Sequence, residues 1–130
     1  MFNNVLTNGT IIDAAGAPGV YEISITPTIA GTYQLFIQFN GLNVGISPLT
    51  IIVSPGSPTV AATSNITLSN YSYIAGEYLN FNIEARDQYG NLRTASITEV
   101  FNVTLVSLTA SSSTSLSYTS NNNGTYTVNY

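Results

Sequence analysis

The sequence predicts an all-β chain that carries parts of two consecutive tandem β-sandwich repeats. Three observations predict it: a strand written twice, alternation of apolar residues with period two, and a proline–glycine break between the two copies. Gly19-Val20-Tyr21-Glu22-Ile23-Ser24-Ile25 returns as Gly124-Thr125-Tyr126-Thr127-Val128-Asn129-Tyr130, with the tyrosines 105 residues apart (21 to 126). That spacing is the length of one sandwich domain, so the duplication marks a tandem array. In this frame neither terminus is expected to fall on a repeat seam.

Taken in order, the strands follow from alternation. Tyr33, Leu35, Ile37 and Phe39 are assigned to one face, with Gln34, Gln38 and Asn40 on the other, the pattern of a half-buried strand. Similar runs cover Val20 to Ile25, Pro48 to Val53, Tyr78 to Ala85, Ile97 to Leu108, Leu116 to Thr119 and Thr125 to Tyr130. No apolar pattern at i, i+3, i+4 and i+7 is sustained along the chain, and the abundant Thr, Val, Ile and Tyr favour a pleated surface. The Ser/Thr run from Thr109 to Ser115 reads as a loop. Ser54-Pro55-Gly56-Ser57-Pro58 removes two backbone donors around a flexible glycine, which stops strand pairing. The expected division is 1–54, the C-terminal strands of one repeat, and 59–130, the N-terminal strands of the next.

Composition excludes several function classes. Only 6% of residues are charged and the net charge is −4, with Arg86 and Arg93 the only cations; a typical soluble domain has roughly 25% charged residues. Two cations cannot neutralise a phosphate backbone, so nucleic acid is excluded as a partner. No stretch approaches the ~20 apolar residues of a membrane span, and Met1-Phe2-Asn3-Asn4-Val5 has neither the positive region nor the apolar run of a signal peptide. Zero cysteine removes disulfides and thiolate metal sites without fixing the compartment.

With no His, Cys or Lys and only six scattered carboxylates, the chain lacks groups to move protons or hold a nucleophile. No enzyme, cofactor or metal is expected. Glu84 and Asp87 flank Arg86 at a strand-to-turn junction, but Asp87-Gln88-Tyr89-Gly90-Asn91 reads as turn chemistry: Asp and Asn side chains bond local backbone and Gly90 takes positive φ. Calcium, which wants six to eight oxygens, is the weaker reading. Five Asn-x-Ser/Thr sequons, at Asn8, Asn65, Asn70, Asn102 and Asn123, are candidate N-glycosylation sites. Phe101, Val103 and Leu105 are expected inward, leaving Asn102 and Thr104 outward. Edge strands without lysine lack the usual guard against pairing, so sugar or docking into a fibre is expected to cover the surface.

The residues resemble the filamin-type immunoglobulin-like repeat. Its second half is matched by Gly19-Val20-Tyr21 through Thr26-Pro27, by Gly31-Thr32-Tyr33 through Phe39-Asn40-Gly41, and by Ser47-Pro48-Leu49 to Val53. Ile46 intrudes before Ser47, Leu49 stands for the usual phenylalanine and Ile25 for a common tyrosine. Its opening is matched by Ala75-Gly76-Glu77-Tyr78, Phe81 through Asn91, and Asn123-Gly124-Thr125-Tyr126. The resemblance implies an immunoglobulin-like β-sandwich, with the last four strands of one repeat up to about residue 53 and the first five of the next from about 59. Tyr33 then makes a tyrosine corner, its ring in the core and its hydroxyl on nearby backbone, and Leu35 occupies the cysteine position of disulfide-bearing relatives. The expected function is a structural segment of an extracellular, glycosylated fibre, stalk or adhesin at the cell surface. Its partners would be neighbouring repeats, or identical subunits completing its sandwiches by strand addition. The alternative is a binding or crosslinking module that takes a partner peptide by β-augmentation near Ile97 to Leu108 and Leu116 to Thr119.

Overall fold

The computed structural model describes residues 10–13, 16–94 and 99–130. Asn8, and Ile97 at the start of an expected strand, lie outside them. The described residues are all-β, in several sheets and without helix, an architecture compatible with an immunoglobulin-like sandwich. Among them no helix is long and apolar enough to cross a membrane. The chain divides into two compact units, Met1–Val53 and Ser54–Tyr130.

The first unit is three antiparallel pairs. β1 (Thr10–Asp13) pairs with β2 (Tyr21–Ser24), β3 (Gly31–Leu35) with β6 (Leu49–Val53), and β4 (Gln38–Phe39) with β5 (Leu42–Asn43). Cross-strand register sets Tyr33 opposite Ile51 and Leu35 opposite Leu49. With Val53 these four form one half-buried apolar face, because residues two apart share a face of a pleated strand. The Tyr33 hydroxyl donates to the Ile29 carbonyl at 2.6 Å, the hydroxyl-to-upstream-backbone bond of a tyrosine corner. No described residue of this unit is fully buried.

The second unit holds the core. Its four-stranded sheet has the order β11 (Tyr118–Ser120), β12 (Thr125–Asn129), β8 (Asn80–Glu84), β7 (Asn65–Leu68). Read from β7, that is the A-B-E-D order of an immunoglobulin sandwich. β9 (Val103–Ser107) and β10 (Ser112–Leu116) form a separate hairpin at the C position. Ile83, Ala85, Tyr126 and Val128 are buried, and Phe81, Phe101, Val103, Leu116 and Tyr118 pack against them from both layers.

Three aromatic rings join those layers. Phe101, Tyr118 and Tyr126 meet edge to face, with centroids 5.0 to 5.7 Å apart, the arrangement that ring quadrupoles favour. The hydroxyls continue the link: Tyr118 accepts from Phe101 N and donates to the Glu99 carbonyl, and Tyr126 accepts from Glu99 N. Removing the Tyr118 hydroxyl as Tyr118→Phe keeps the ring and deletes two bonds. Unit Ser54–Tyr130 should then lose about 2 kcal/mol in urea denaturation.

Three sequence expectations are corrected. The Thr109 to Ser115 run is not a loop: Ser112–Leu116 is a strand, and the turn is confined to 108–111 with Ser111 at positive φ. Serine and threonine on both faces hide the alternation, yet main-chain bonds to β9 suffice to form the strand. The run through Phe39 breaks after Leu35, since Ile37 N bonds Ser47 Oγ and its carbonyl accepts from Val44 N, turning the chain into β4–β5 and leaving Phe39 exposed. Likewise Leu105 is exposed, whereas Phe101 and Val103 are half-buried and pack against the core.

Candidate functional site

The polar groups that drew attention in the sequence are spent on the fold. Asp87 is 1% exposed. Its Oδ1 accepts from the backbone N–H groups of Tyr89 and Asn91, and its Oδ2 accepts from Gly56 N at 2.6 Å and Asn91 Nδ2 at 2.9 Å. Gly90 sits at φ +83°, closing the turn. Burial alone would raise the carboxyl pKa, but the Asn91 amide and the N–H groups of Gly56, Asn91 and Tyr89 overrule it, lowering the pKa from 3.8 to about 2. A carboxylate facing four N–H donors has no lone pair directed at a cation. Gly56 belongs to the proline-rich segment, so Asp87 straps that segment onto the second unit. Thr63 Oγ1 and Val60 N reinforce the strap through the carbonyls of Asp87 and Arg86.

Both arginines are likewise committed. Arg86 bonds Glu84 through Nε and Nη2, and the Gly90 carbonyl through Nη1. Arg93, almost fully buried, pairs with Glu99 and donates to Thr59 Oγ1, which itself donates to Glu99 Oε1 at 2.5 Å. The Thr59–Arg93–Glu99 cluster was not legible in sequence, where its members are 34 and 40 residues from Thr59; a cation in so uncharged a chain was its one signal. Arg93→Met strands a mostly buried carboxylate, and a loss of about 3 kcal/mol in urea unfolding is expected. Among the described residues no group of three or more His, Cys, Asp or Glu is placed to hold a metal ion.

The sequons occupy three kinds of position. Asn65 on β7 and Asn102 before β9 are exposed and line one cleft. Asn70 is exposed in the loop after β7, with its Nδ2 donating to the Ser72 carbonyl at 2.6 Å. Asn123, exposed in the turn before β12, uses Oδ1 to accept from Thr125 N and Oγ1.

That cleft lies in the second unit. It has a volume of about 650 Å³ and an apolar floor of Ile66, Phe81, Ile83, Phe101 and Val103. One edge of β9 is paired with β10; no described strand pairs with the other.

The duplicated strand stands in two environments. Gly19 and Gly124 have φ of +80° and +83°, and β2 and β12 each pair with the strand before them. Yet Tyr21 is 65% exposed and Tyr126 2%, while Ile23 is 37% exposed and Val128 0%. The second edge of β12 carries β8; that of β2 carries no described strand. Comparison with family models, curated proteins and solved structures gives no significant match.

Proposed function

We propose that this chain is a structural segment of an extracellular, N-glycosylated fibre, stalk or adhesin built from tandem immunoglobulin-like repeats of the filamin type. The observation that carries this reading is the duplicated Gly-x-Tyr strand, packed in one unit and exposed in the other, as expected when a chain holds portions of two repeats. Spacing and load transfer through interstrand hydrogen bonds, without catalysis, suit a chain in which Arg86, Arg93, Glu84, Asp87 and Glu99 bond one another, neighbouring side chains and the backbone. The Asp87 strap serves the same end, because a proline–glycine segment bonded to a folded unit bends less than a free one.

Sugar would hydrate a surface poor in charge. Among the described sequons, Asn70 is the least available acceptor, since its Nδ2 is tied to the Ser72 carbonyl while Asn65, Asn102 and Asn123 are exposed with no such bond. Glycopeptide mapping of natively isolated protein should show occupancy lower at Asn70 than at Asn65, Asn102 or Asn123. Bare asparagines throughout, on protein recovered from inside cells, would defeat the extracellular reading.

A further inference from the structure

We propose that Asn40 is a site of spontaneous modification: its side-chain amide is lost to water through ring closure on Gly41 N, leaving aspartate or isoaspartate at the tip of the β4–β5 hairpin. Asn-Gly is the dipeptide that permits this reaction most readily, because glycine has no Cβ to hinder approach of its nitrogen to the preceding Cγ. The chain contains three, Asn8-Gly9, Asn40-Gly41 and Asn123-Gly124. Asn8 lies outside the described residues; the structure separates the other two. Asn40 and Gly41 form a two-residue loop between Phe39 and Leu42, which face each other across the hairpin. Their φ values of 49° and 80° are both positive, as a tight hairpin turn requires. The main-chain bonds of such a loop belong to the flanking pair, which leaves the exposed Gly41 N without one. Asn40 is exposed, and its carboxamide bonds no described residue. Nothing lies within 4 Å of the place a Gly41 Cβ would take, so the peptide can turn as the ring closes.

Asn123 has the same dipeptide and the opposite surroundings. Its Oδ1 is held by Thr125 N at 3.0 Å and by Thr125 Oγ1 at 2.7 Å. Gly124 is buried, its carbonyl accepts from Ala85 N, and the Arg93 carbonyl oxygen stands 2.5 Å from where its Cβ would be. Turning the 123–124 peptide toward Cγ would break these contacts, so folding suppresses the reaction there. Residue 42 is leucine where residue 125 is threonine, so Asn40 falls in no sequon and its amide is not an acceptor for sugar.

The step balances with water as the sole co-reactant. Gly41 N gives its proton to solvent and attacks Asn40 Cγ; Nδ2 leaves with the bond pair, gains a proton and departs as ammonia, and a succinimide remains. Water then opens the ring at either carbonyl. Cleavage of the bond from Gly41 N to Cγ restores the chain with aspartate, and cleavage of the bond from Gly41 N to the main-chain carbon routes the chain through Cγ as isoaspartate. Both carry a carboxylate, the only charged side chain between Glu22 and Glu77, set beside the exposed Phe39 and Leu42. Isoaspartate also adds a methylene to the two-residue loop, undoing its match to the Phe39–Leu42 pair. A carboxylate resists burial against apolar surface, so the reaction changes what the hairpin tip can touch as the protein ages.

The test incubates the full chain, made without glycosylation so that every amide is free, in mildly alkaline heavy-oxygen water, folded and in urea. Each converted residue then carries the label, which peptide mapping by mass spectrometry locates, and an isoaspartyl methyltransferase measures the isoaspartate share. The folded chain should convert Asn40 at least several-fold faster than Asn123. In urea, where the shared dipeptide alone sets the rate, the two should convert alike. An Asn40 that stays intact in the folded chain overturns the proposal, as do equal folded rates at Asn40 and Asn123. Either result leaves the fibre reading to the glycan map.

Discussion

Replacing Gly124 by alanine is expected to unfold the second unit, whereas the same change at Gly19, its counterpart 105 residues earlier, is expected to be mild. A Cβ at Gly124 would lie 2.5 Å from the Arg93 carbonyl oxygen, 2.8 Å from the carbonyl carbon and 3.1 Å from Leu92 Cγ. The first two are backbone atoms held by the Arg93 N to Ala85 O bond, and the Gly124 carbonyl is itself bonded by Ala85 N, so neither side can yield. Positive φ adds its own cost. Together they place Gly124→Ala among the exceptional substitutions, at about 4 kcal/mol or more. Gly19 shares the positive φ, but nothing lies within 4 Å of the position its Cβ would take; only the backbone cost remains, about 1 kcal/mol. Urea denaturation followed by circular dichroism on the two variants measures the contrast. Equal losses would mean that the two copies are packed alike.

Asp87→Asn should be the most damaging of the near-isosteric polar changes, with its effect concentrated above pH 4. The amide nitrogen would face N–H donors that the carboxylate now accepts, leaving buried donors unpaired. The sign with pH follows from the lowered pKa. The contribution of Asp87 is fully present above its ordinary value of 3.8 and is lost as pH falls through about 2. Urea midpoints at pH 7 should separate wild type from Asp87→Asn widely, and the gap should close between pH 4 and pH 2. A gap as wide at pH 2 as at pH 7 would show that the carboxylate charge is not what the turn uses.

The sequence made the strands of high contrast legible. Tyr126 and Val128 on β12, Phe81 and Ile83 on β8, and Leu49, Ile51 and Val53 on β6 alternate cleanly because one face of each is apolar. Alternation failed where packing does not select a face, as on β10, with serine and threonine on both sides; β7 does alternate, Ile66 and Leu68 against Asn65 and Thr67, but over four residues only. The Asp87 turn was legible because side chain and backbone are four residues apart or fewer. Its hold on Gly56, 31 residues away, was not, since local chemistry says nothing of which distant donor completes a buried carboxylate. The cleft was equally hidden, because it lies along an edge of β9 with which no described strand pairs, and one-dimensional alternation does not reveal which edges are paired.

Tandem-repeat organisation is tested most directly by amide hydrogen exchange, residue by residue, on the full chain. The amides of Tyr126 and Val128 should exchange slowly and those of Tyr21 and Ile23 quickly. Equal protection of both tyrosine strands would contradict the claim, because the two copies would then be packed alike.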